Sequence, residues 1–329
     1  MFDFIRNPLT INDIRVNKTD FTRDSKLDFP SVALLILHLF KESVEFNLAT
    51  FLPFLGKKPV TGACFSIARY KIKLDFFLDL NAKMESHLAT LPSKLWKGFR
   101  LIAGDGTTVN LPASPQIKEH FGVFAITNGN THTCLANAFM LYDVLSNLTL
   151  DAIIAPVSIG VSTLMQTMLG KVSMPNAILL LDRGFGFFTT CKALAGKKLG
   201  FCIRLKSDSD FAKSILSNPS MDYLTTWTPS EKAKGTCKKY HLDINPIQVR
   251  ATKVVLNTGV IEVLVSSLFD TNAITVQDMQ ALYAMRWGIE EGFKKLKPKM
   301  KLEQFGCKCF EGVYQEFYAH LFMMNVVTL

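Results

Sequence analysis

The sequence lacks the patterns that mark secreted, membrane-spanning or zinc-binding proteins. Its seven cysteines are scattered and no two lie at C-x-x-C spacing, so neither a disulfide framework nor a zinc site is expected. The longest apolar run, residues 32–40, is interrupted by His38 and falls well short of the roughly 20 residues that cross a bilayer. The N-terminus shows no basic segment followed by an apolar one, as a secretory signal would. We therefore expect a soluble, cytoplasmic protein with reduced, mostly buried cysteines and no membrane partner.

Nucleotide-binding patterns are also missing. There is no Walker A pattern and no G-x-G-x-x-G after a strand, which argues against nucleotide hydrolases and dinucleotide-dependent enzymes. The six histidines show no metal-ligand spacing, and no repeat or low-complexity tract is visible. The chain does contain 48% hydrophobic residues, with 26 phenylalanines among its 329 residues. That composition supports a substantial core in one large domain or two to three smaller ones.

Positive charge is in excess and is concentrated in one place. The net charge is +9, which suits a polyanionic partner but is also found in proteins without one. Five lysines follow Glu290 within a span of eight residues: Lys294, Lys295, Lys297, Lys299 and Lys301. The densest positive charge thus adjoins a carboxylate.

Two apolar runs each lead into an aspartate and a glycine-containing turn. Residues 99–104 precede Asp105-Gly106, and residues 177–181 precede Asp182-Arg183-Gly184. Both runs are predicted strands that end at the aspartate, and ligand sites of α/β sheets collect at the carboxyl ends of strands. Each aspartate taken alone is better explained as a turn-forming residue. The pair is the more specific signal.

A third acid lies on a predicted helix that begins at Thr275 and ends before Pro298. Tyr283, Arg286, Glu290 and Lys297 stand at offsets 0, 3, 7 and 14, which places them on one stripe of an ideal helix. A buried helix face would be apolar at these offsets. From spacing alone, a solvated face with ion pairs is an equal alternative.

Together the three acids suit a hard divalent cation. Mg²⁺ prefers carboxylate oxygens and leaves positions for water and phosphate oxygens. Two such ions about 4 Å apart can activate a water or a 3′-hydroxyl and stabilise the departing oxygen in phosphoryl transfer. Neighbouring lysines and an arginine can hold the flanking phosphates.

The region before residue 93 is predicted to be mostly helical. Helices are expected with Ser31 as N-cap, over residues 44–52, and from an N-cap at Thr61 to about Asn81. In the last of these, Ile67, Ile72, Phe76 and Leu80 are expected to be buried. Its basic side chains, Arg69, Lys71 and Lys73, are expected at the surface. A helix-turn-helix arrangement and a plain three-helix bundle are equal interpretations of this pattern.

Between residues 132 and 206 the predicted strands and helices follow one another in an α/β pattern, and after residue 206 this pattern is lost. Residues 113–131 read as loop with a turn at 128–130. Strands are expected at 132–142, 146–156 and 201–206, and helices at 163–170 and 187–195. Residues 207–268 are turn-rich and are predicted to form a β-rich insertion with strands at 240–243, 248–256 and 260–268. A final helix is expected at 311–327.

With these motifs in place, the chain resembles the DDE transposases of the insertion-sequence-four family. Tyr283, Arg286, Glu290 and Lys297 match the family signature Y-x2-R-x3-E-x6-K. Asp105 in Asp-Gly-Thr looks like the first catalytic aspartate, and Asp182 in Leu-Asp-Arg-Gly-Phe like the second. The region from Asp20 to Lys71 is similar to the helices that precede the catalytic domain. The likeness extends over nearly the whole chain.

The resemblance implies an α/β fold: an RNase H-like mixed sheet with flanking helices, a β-rich insertion before the third acid and an N-terminal helical region. Implied domains are a DNA-binding region at 1–92, the catalytic domain at 93–206 and 270–329, and the insertion at 207–269. It also implies two Mg²⁺ ions, with Mn²⁺ as a substitute, and cut-and-paste transposition in a bacterium or archaeon. Partners would be double-stranded DNA at transposon ends, target DNA and a second copy of the chain. No long oligomerisation segment is expected after Leu329.

The resemblance further assigns roles to individual residues. Asp105, Asp182 and Glu290 would be catalytic metal ligands. Contacts to DNA phosphates would come from Tyr283, Arg286 and Lys297, with Lys294 and Arg183 beside them. Relatives cut through a hairpin with a flipped base stacked on an aromatic ring, for which Trp227 and Trp287 are candidates, although packing is the favoured role for Trp287.

Two other functions remain open on the sequence. An RNase H-like nuclease would hydrolyse nucleic acid without joining ends. An inactive transposase remnant would bind element ends and repress or compete there.

Overall fold

The structure is a computed structural model that describes residues 4–5, 7–38, 43–125, 132–171, 174, 176–299 and 302–329. The predicted turn at 128–130, Lys301 and the end of the apolar run at Phe40 lie outside these ranges. Within them, no helix is both long and apolar enough to span a membrane. Five of the seven cysteines are buried, as expected of small apolar side chains.

Helices make up the chain before residue 93, as predicted. They are α1 (Pro8–Ile14), α2 (Phe29–Leu37), α3 (Val44–Phe54), α4 (Gly62–Arg69) and α5 (Asp75–Thr90). Thr61 caps α4 as expected, since its side chain accepts a hydrogen bond from the Cys64 amide. The cap of α2 was misplaced: Asp28 is the N-cap and accepts from the Ser31 amide at 2.9 Å. The helix therefore begins one turn earlier, with Pro30 in its first turn, where a missing N–H costs nothing.

The single helix expected from Thr61 to about Asn81 is two helices. A turn at residues 70–74 separates α4 from α5, and Ile72 in this turn forms a β-bridge with Arg15. Ile72, Phe76 and Leu80 are buried as expected, whereas Ile67 is 67% exposed. Arg69, expected at the surface, is 2% exposed because it is ion-paired with Glu316 of the last helix. The break changes which faces of the two helices meet the core.

A mixed sheet follows. Its first strands are β1 (Arg100–Leu111), β2 (Phe124–Ala125), β3 (His132–Asp143), β4 (Leu148–Pro156), β5 (Ala177–Leu181) and β6 (Gly200–Arg204). Helices α6 (Pro115–Phe121), α7 (Val161–Lys171) and α8 (Phe188–Gly196) connect them. β1 pairs antiparallel with β3 and parallel with β5, and β5 pairs parallel with β6. The sequence prediction missed α6, which the Ser114 side chain caps.

The insertion extends the same sheet. It contains α9 (Asp210–Ser217), β7 (Asp222–Trp227), α10 (Glu231–Lys239), β8 (Ile247–Val255) and β9 (Ile261–Ser266). β9 pairs with β6, so the described strands run in the order β2-β3-β1-β5-β6-β9-β8-β7, with β4 on β3. The strand predicted at 240–243 is wrong. His241 has a positive φ of 54° and the Leu242 amide bonds back to the Cys237 carbonyl, which is a helix C-terminal turn.

The closing segment is a broken helix rather than one continuous helix. α11 (Val276–Ala284) passes into a 3₁₀ turn (Met285–Trp287), α12 (Gly288–Lys294) and a π-helical turn (Lys295–Lys299). Thr275 caps α11 through a reciprocal capping box with Asp278, as the sequence predicted. The last helix, α13 (Phe310–Thr328), shares one hydrophobic core with the N-terminal helices. The mixed sheet with helices on its faces confirms the predicted α/β fold class.

Candidate active site

Asp105 and Asp182 lie side by side because of the register between β1 and β5. The parallel pairing of these strands ends at Gly104 opposite Leu181, so the residue that follows each is an aspartate. Pairing between β5 and β6 places Leu181 opposite Ile203. Consecutive residues alternate between the two faces of a sheet. Leu181 and Ile203 therefore pack into the core on one face, and the two aspartates lie on the other face.

Asp105 does not stand at a strand end, contrary to the sequence prediction. β1 continues to Leu111, held by its antiparallel pairing with β3, while β5 stops at Leu181. The Asp105 carboxylate therefore projects from the middle of β1. At this point β5 has ended, so one edge of β1 no longer pairs with β5. The next residue must be small: a Cβ added at Gly106 would lie 2.1 Å from Cγ1 of Val161.

Backbone amides hold both aspartates. The Gly106 amide donates to Asp105 Oδ1 and the Gly184 amide to Asp182 Oδ1, each at 2.7 Å. Burial raises the pKa of Asp105, and the charges of Asp182 and Glu290 add to this rise, while the Gly106 amide and Arg286 oppose it. Nearby like charges thus add to the effect of burial in disfavouring the ionised form of Asp105.

The 3₁₀ turn brings the third acid to this pair. Arg286 in this turn is buried, with its Nη1 3.6 Å from Asp105 Oδ2 and its Nη2 3.8 Å from Glu290 Oε1. Tyr283 is buried one turn earlier, with its ring 6.0 Å from the Arg286 guanidinium carbon. Burial raises the pKa of the Tyr283 phenol. Tyr283 and Glu290, two other signature residues, thus lie around the Arg286 guanidinium, which also approaches Asp105.

The lysines of the signature region already have partners. Lys297 bonds to the carbonyl oxygen of Thr108 on β1 and lies 3.4 Å from Glu303. Lys294 is exposed and pairs with Glu291 at 2.6 Å. Arg183 is exposed in the turn after Asp182. Basic side chains therefore line the rim of the site, but Lys297 also ties the π-helical turn to β1.

The two tryptophan candidates occupy opposite environments. Trp227 lies in a hydrophobic core, stacked on Phe211 with ring centroids 4.3 Å apart and 9% exposed. Its ring has no free face for a base. Trp287 is 59% exposed and its ring lies 5.1 Å from the Arg286 guanidinium carbon. Trp287 is therefore not a core residue, and its ring packs on Arg286 at the surface.

Sequence reasoning missed one charged residue at this edge. Arg204 ends β6 one position after Ile203, the register partner of Leu181, so it lies next to Asp182 in the strand order. It pairs with Glu262 of β9. The sequence does hint at this residue, because Arg204 follows an apolar run as Asp182 does. It was missed because the predicted strand continued to residue 206, whereas the observed strand ends at Arg204.

The donor set suits a divalent cation, although the side chains are not gathered for one. In the part of the chain that the structure describes, no three His, Cys, Asp or Glu side chains lie close enough together to hold a metal ion. Arg286 stands between Asp105 and Glu290 and bridges them by charge. The chemistry fits, because the carboxylates of Asp105 and Glu290 flank a buried positive group and Asp182 follows the strand beside Asp105, and carboxylate oxygens are the ligands that Mg²⁺ prefers.

Comparison with known proteins fixes the family. The sequence model described as Transposase DDE domain matches residues 96–326, which include Asp105, Asp182 and Glu290. The chain belongs to the DDE transposase family. Membership indicates a DNA transposase, an enzyme class that cleaves DNA. No curated protein has a significantly similar sequence.

A solved structure agrees at the level of the fold. The transposase resembles a chain of the cryo-EM structure of the piggyBac transposase synaptic complex with hairpin DNA, with a TM-score of 0.52 and 9% sequence identity. The match covers 99% of this chain and 73% of that one. At such low identity the likeness shows a shared fold and carries no residue roles.

Proposed function

We propose that this transposase cuts DNA at the ends of its element and joins the freed 3′-hydroxyls to target DNA, as members of the insertion-sequence-four family do. The observation that carries the proposal is the register that sets Asp105 beside Asp182, with Glu290 brought to them by Arg286. Cut-and-paste transposition in a bacterial or archaeal cytoplasm, with two copies of the chain in the active complex, is the form that we propose.

Asp105, Asp182 and Glu290 would hold two Mg²⁺ or Mn²⁺ ions, and bound ions would supply Lewis-acid stabilisation of the attacking and departing oxygens. The chain's own contribution is placement. Amides of Gly106 and Gly184 each donate a hydrogen bond to one oxygen of an aspartate, so these two carboxylates would be oriented before substrate binds.

The basic rim would hold the DNA backbone on either side of the cut. Arg286 would donate paired hydrogen bonds to a phosphate, with Lys294, Lys297 and Arg183 adding positive charge. The buried Tyr283 would support the Arg286 side chain from behind. Trp287 offers an exposed ring on which a base at the cut can stack, and Trp227 is not proposed for that role.

The N-terminal helices (residues 1–92) are proposed to contact the element ends as well. Support comes from the lysines around α4, since Lys57, Lys58, Lys71 and Lys73 flank it. The helix itself offers no exposed charge, because Arg69 is turned into the core. Contact through flanking phosphates therefore fits this region better than base reading by α4.

A strand-transfer assay tests the proposal. The DNA flanking the coding region supplies the end sequences, and the protein is incubated with end-bearing duplex, a target plasmid and Mg²⁺. Joined products are expected for the wild type and none for Asp182→Asn, while Asp208→Asn, an exposed acid of the insertion, serves as the matched control. Release of cut ends without joining would instead indicate a nuclease. Binding without Mg²⁺-dependent cleavage would indicate a repressor-like remnant.

A further inference from the structure

The guanidinium of Arg286 is buried among charges but makes no good hydrogen bond. The residue is 7% exposed, and its terminal nitrogens lie 3.6 and 3.8 Å from the nearest carboxylate oxygens, beyond ordinary hydrogen-bonding distance. Its Nε has no partner among the described residues. Buried donors in native proteins are nearly always satisfied, so this group is held by charge and by the rings of Tyr283 and Trp287 instead of by hydrogen bonds.

The same position is where a cation is needed. Asp105 and Glu290 face each other across Arg286, and Asp182 adds a third negative charge beside Asp105. Removing the guanidinium without replacing it would leave the partly buried carboxylates of Asp105 and Glu290 without their counter-charge, which is unfavourable. Mg²⁺ binds carboxylate oxygens at about 2.0–2.1 Å and carries twice the charge, so ion and guanidinium compete for one place.

We propose that Arg286 stands in for a divalent cation between Asp105 and Glu290 in the DNA-free protein, and that a DNA phosphate draws it away, which couples metal loading to DNA binding. This inference rests on the proposed function, because it concerns the metal that the three acids would hold. It assigns Arg286 a positioning role in addition to phosphate contact.

The surroundings of Arg286 permit such an exchange. The exposed ring of Trp287 lies 5.1 Å from its guanidinium carbon, on the solvent side. A guanidinium that leaves the acids can therefore stay against an aromatic face. A phosphate would give it the bidentate hydrogen bonds that it lacks between Asp105 and Glu290. Every charge is then paired in both states: arginine with acids before DNA binds, and arginine with phosphate and cation with acids afterwards.

The proposal is tested by calorimetry, which measures Mn²⁺ binding to the metal-free protein in the absence of DNA. Arg286→Met keeps the stem and removes the competing charge, so its Mn²⁺ affinity should rise by roughly 5- to 150-fold, the usual range of coupling between two sites. Arg286→Lys should stay near the wild type. Lys206→Met removes an exposed charge at the same sheet edge and should change affinity by less than about twofold, because surface charges are screened. Equal or weaker Mn²⁺ binding by Arg286→Met overturns the inference.

A second measurement uses the wild type and does not depend on how the variant folds. A short blunt duplex should raise the Mn²⁺ affinity, and Mn²⁺ should raise the duplex affinity by the same factor, after subtraction of Mn²⁺ bound by duplex alone. The same Mn²⁺ affinity with and without duplex would overturn the coupling. Asp105→Asn separates the two claims: with duplex present, Mn²⁺ binding that persists in this variant, or is absent from the wild type, refutes the metal site of the proposed function. Binding that Asp105→Asn abolishes but that neither duplex nor Arg286→Met changes refutes the inference alone.

Discussion

Arg69 and Glu316 form an ion pair of 2.8 Å between α4 and the last helix, and neither side chain is more than 4% exposed. Arg69 also donates to Gln315 at 3.2 Å, and the second oxygen of Glu316 accepts from the Gly306 amide. The pair thus joins the N-terminal helices to the helix that closes the chain.

Breaking this pair should destabilise the protein. Arg69→Met leaves a buried carboxylate without its counter-charge, and the free energy of unfolding is expected to fall by about 3–5 kcal/mol. Urea denaturation followed by circular dichroism measures it. Lys234→Met, which breaks the exposed pair with Glu231, is the control and should unfold like the wild type. An Arg69→Met variant as stable as this control would show that the buried pair is dispensable.

Glu290 and Glu291 should differ sharply in activity. Glu290 faces Arg286 and the aspartates, whereas Glu291 is turned outward and pairs with exposed Lys294. Glu290→Gln is expected to lower Mg²⁺-dependent cleavage by at least about 100-fold, the scale for losing one preorganised charge. Glu291→Gln should change it by no more than about threefold, since exposed ion pairs contribute little. Initial cleavage rates on end-bearing duplex decide between them, and similar losses in both variants would contradict the assignment.

Substitution of the two tryptophans should affect different properties: Trp227 the stability of the fold, and Trp287 the affinity for DNA. Trp227→Ala removes a ring from the core and is expected to lower the free energy of unfolding by about 3–5 kcal/mol. Trp287→Ala should leave stability within about 0.5 kcal/mol but weaken DNA binding by about 1–3 kcal/mol, the value of one stacked base. Urea unfolding and fluorescence anisotropy of a labelled duplex measure the two effects. Undiminished DNA affinity in Trp287→Ala would remove this residue from the interface.

Asp222 should contribute stability that acid removes. Burial raises its pKa, but hydrogen bonds from Arg250 and Thr252 outweigh burial and hold the pKa below the ordinary 3.8. A carboxyl group with a depressed folded pKa stabilises the fold above its unfolded pKa and loses that effect as pH falls through the folded value. We expect the wild type to lose stability below about pH 4 and Asp222→Asn to show a smaller loss. Parallel pH dependences for the two proteins would refute this.

Much of the site was visible in the sequence because its signals are local. The apolar run at residues 177–181 predicts β5 with its observed ends, since a strand buried on both faces needs continuous apolar residues. Thr275 and Asp278 form their capping box within one turn. The spacing of Arg286 and Glu290 brings them together on neighbouring helical turns.

Errors arose where distant residues overrode local pattern. The periodicity after Thr61 favours one long helix, but the bridge between Ile72 and Arg15 and the pair of Arg69 with Glu316 divide it. Residues 240–243 alternate like a strand, yet they close α10 because the cap bonds of that helix are satisfied there. Burial of Trp227 likewise depends on Phe211 and Phe188, which come from other helices.

The sequence by itself singled out the residues that we propose carry the chemistry: two aspartates after apolar runs and a glutamate four residues beyond an arginine. Tertiary structure alone decided how they meet. The register of β1 against β5 sets Asp105 beside Asp182, and a 3₁₀ turn places Arg286 between Asp105 and Glu290. Register and helix distortion arise from packing between segments far apart in the chain, so no local pattern of residues encodes them.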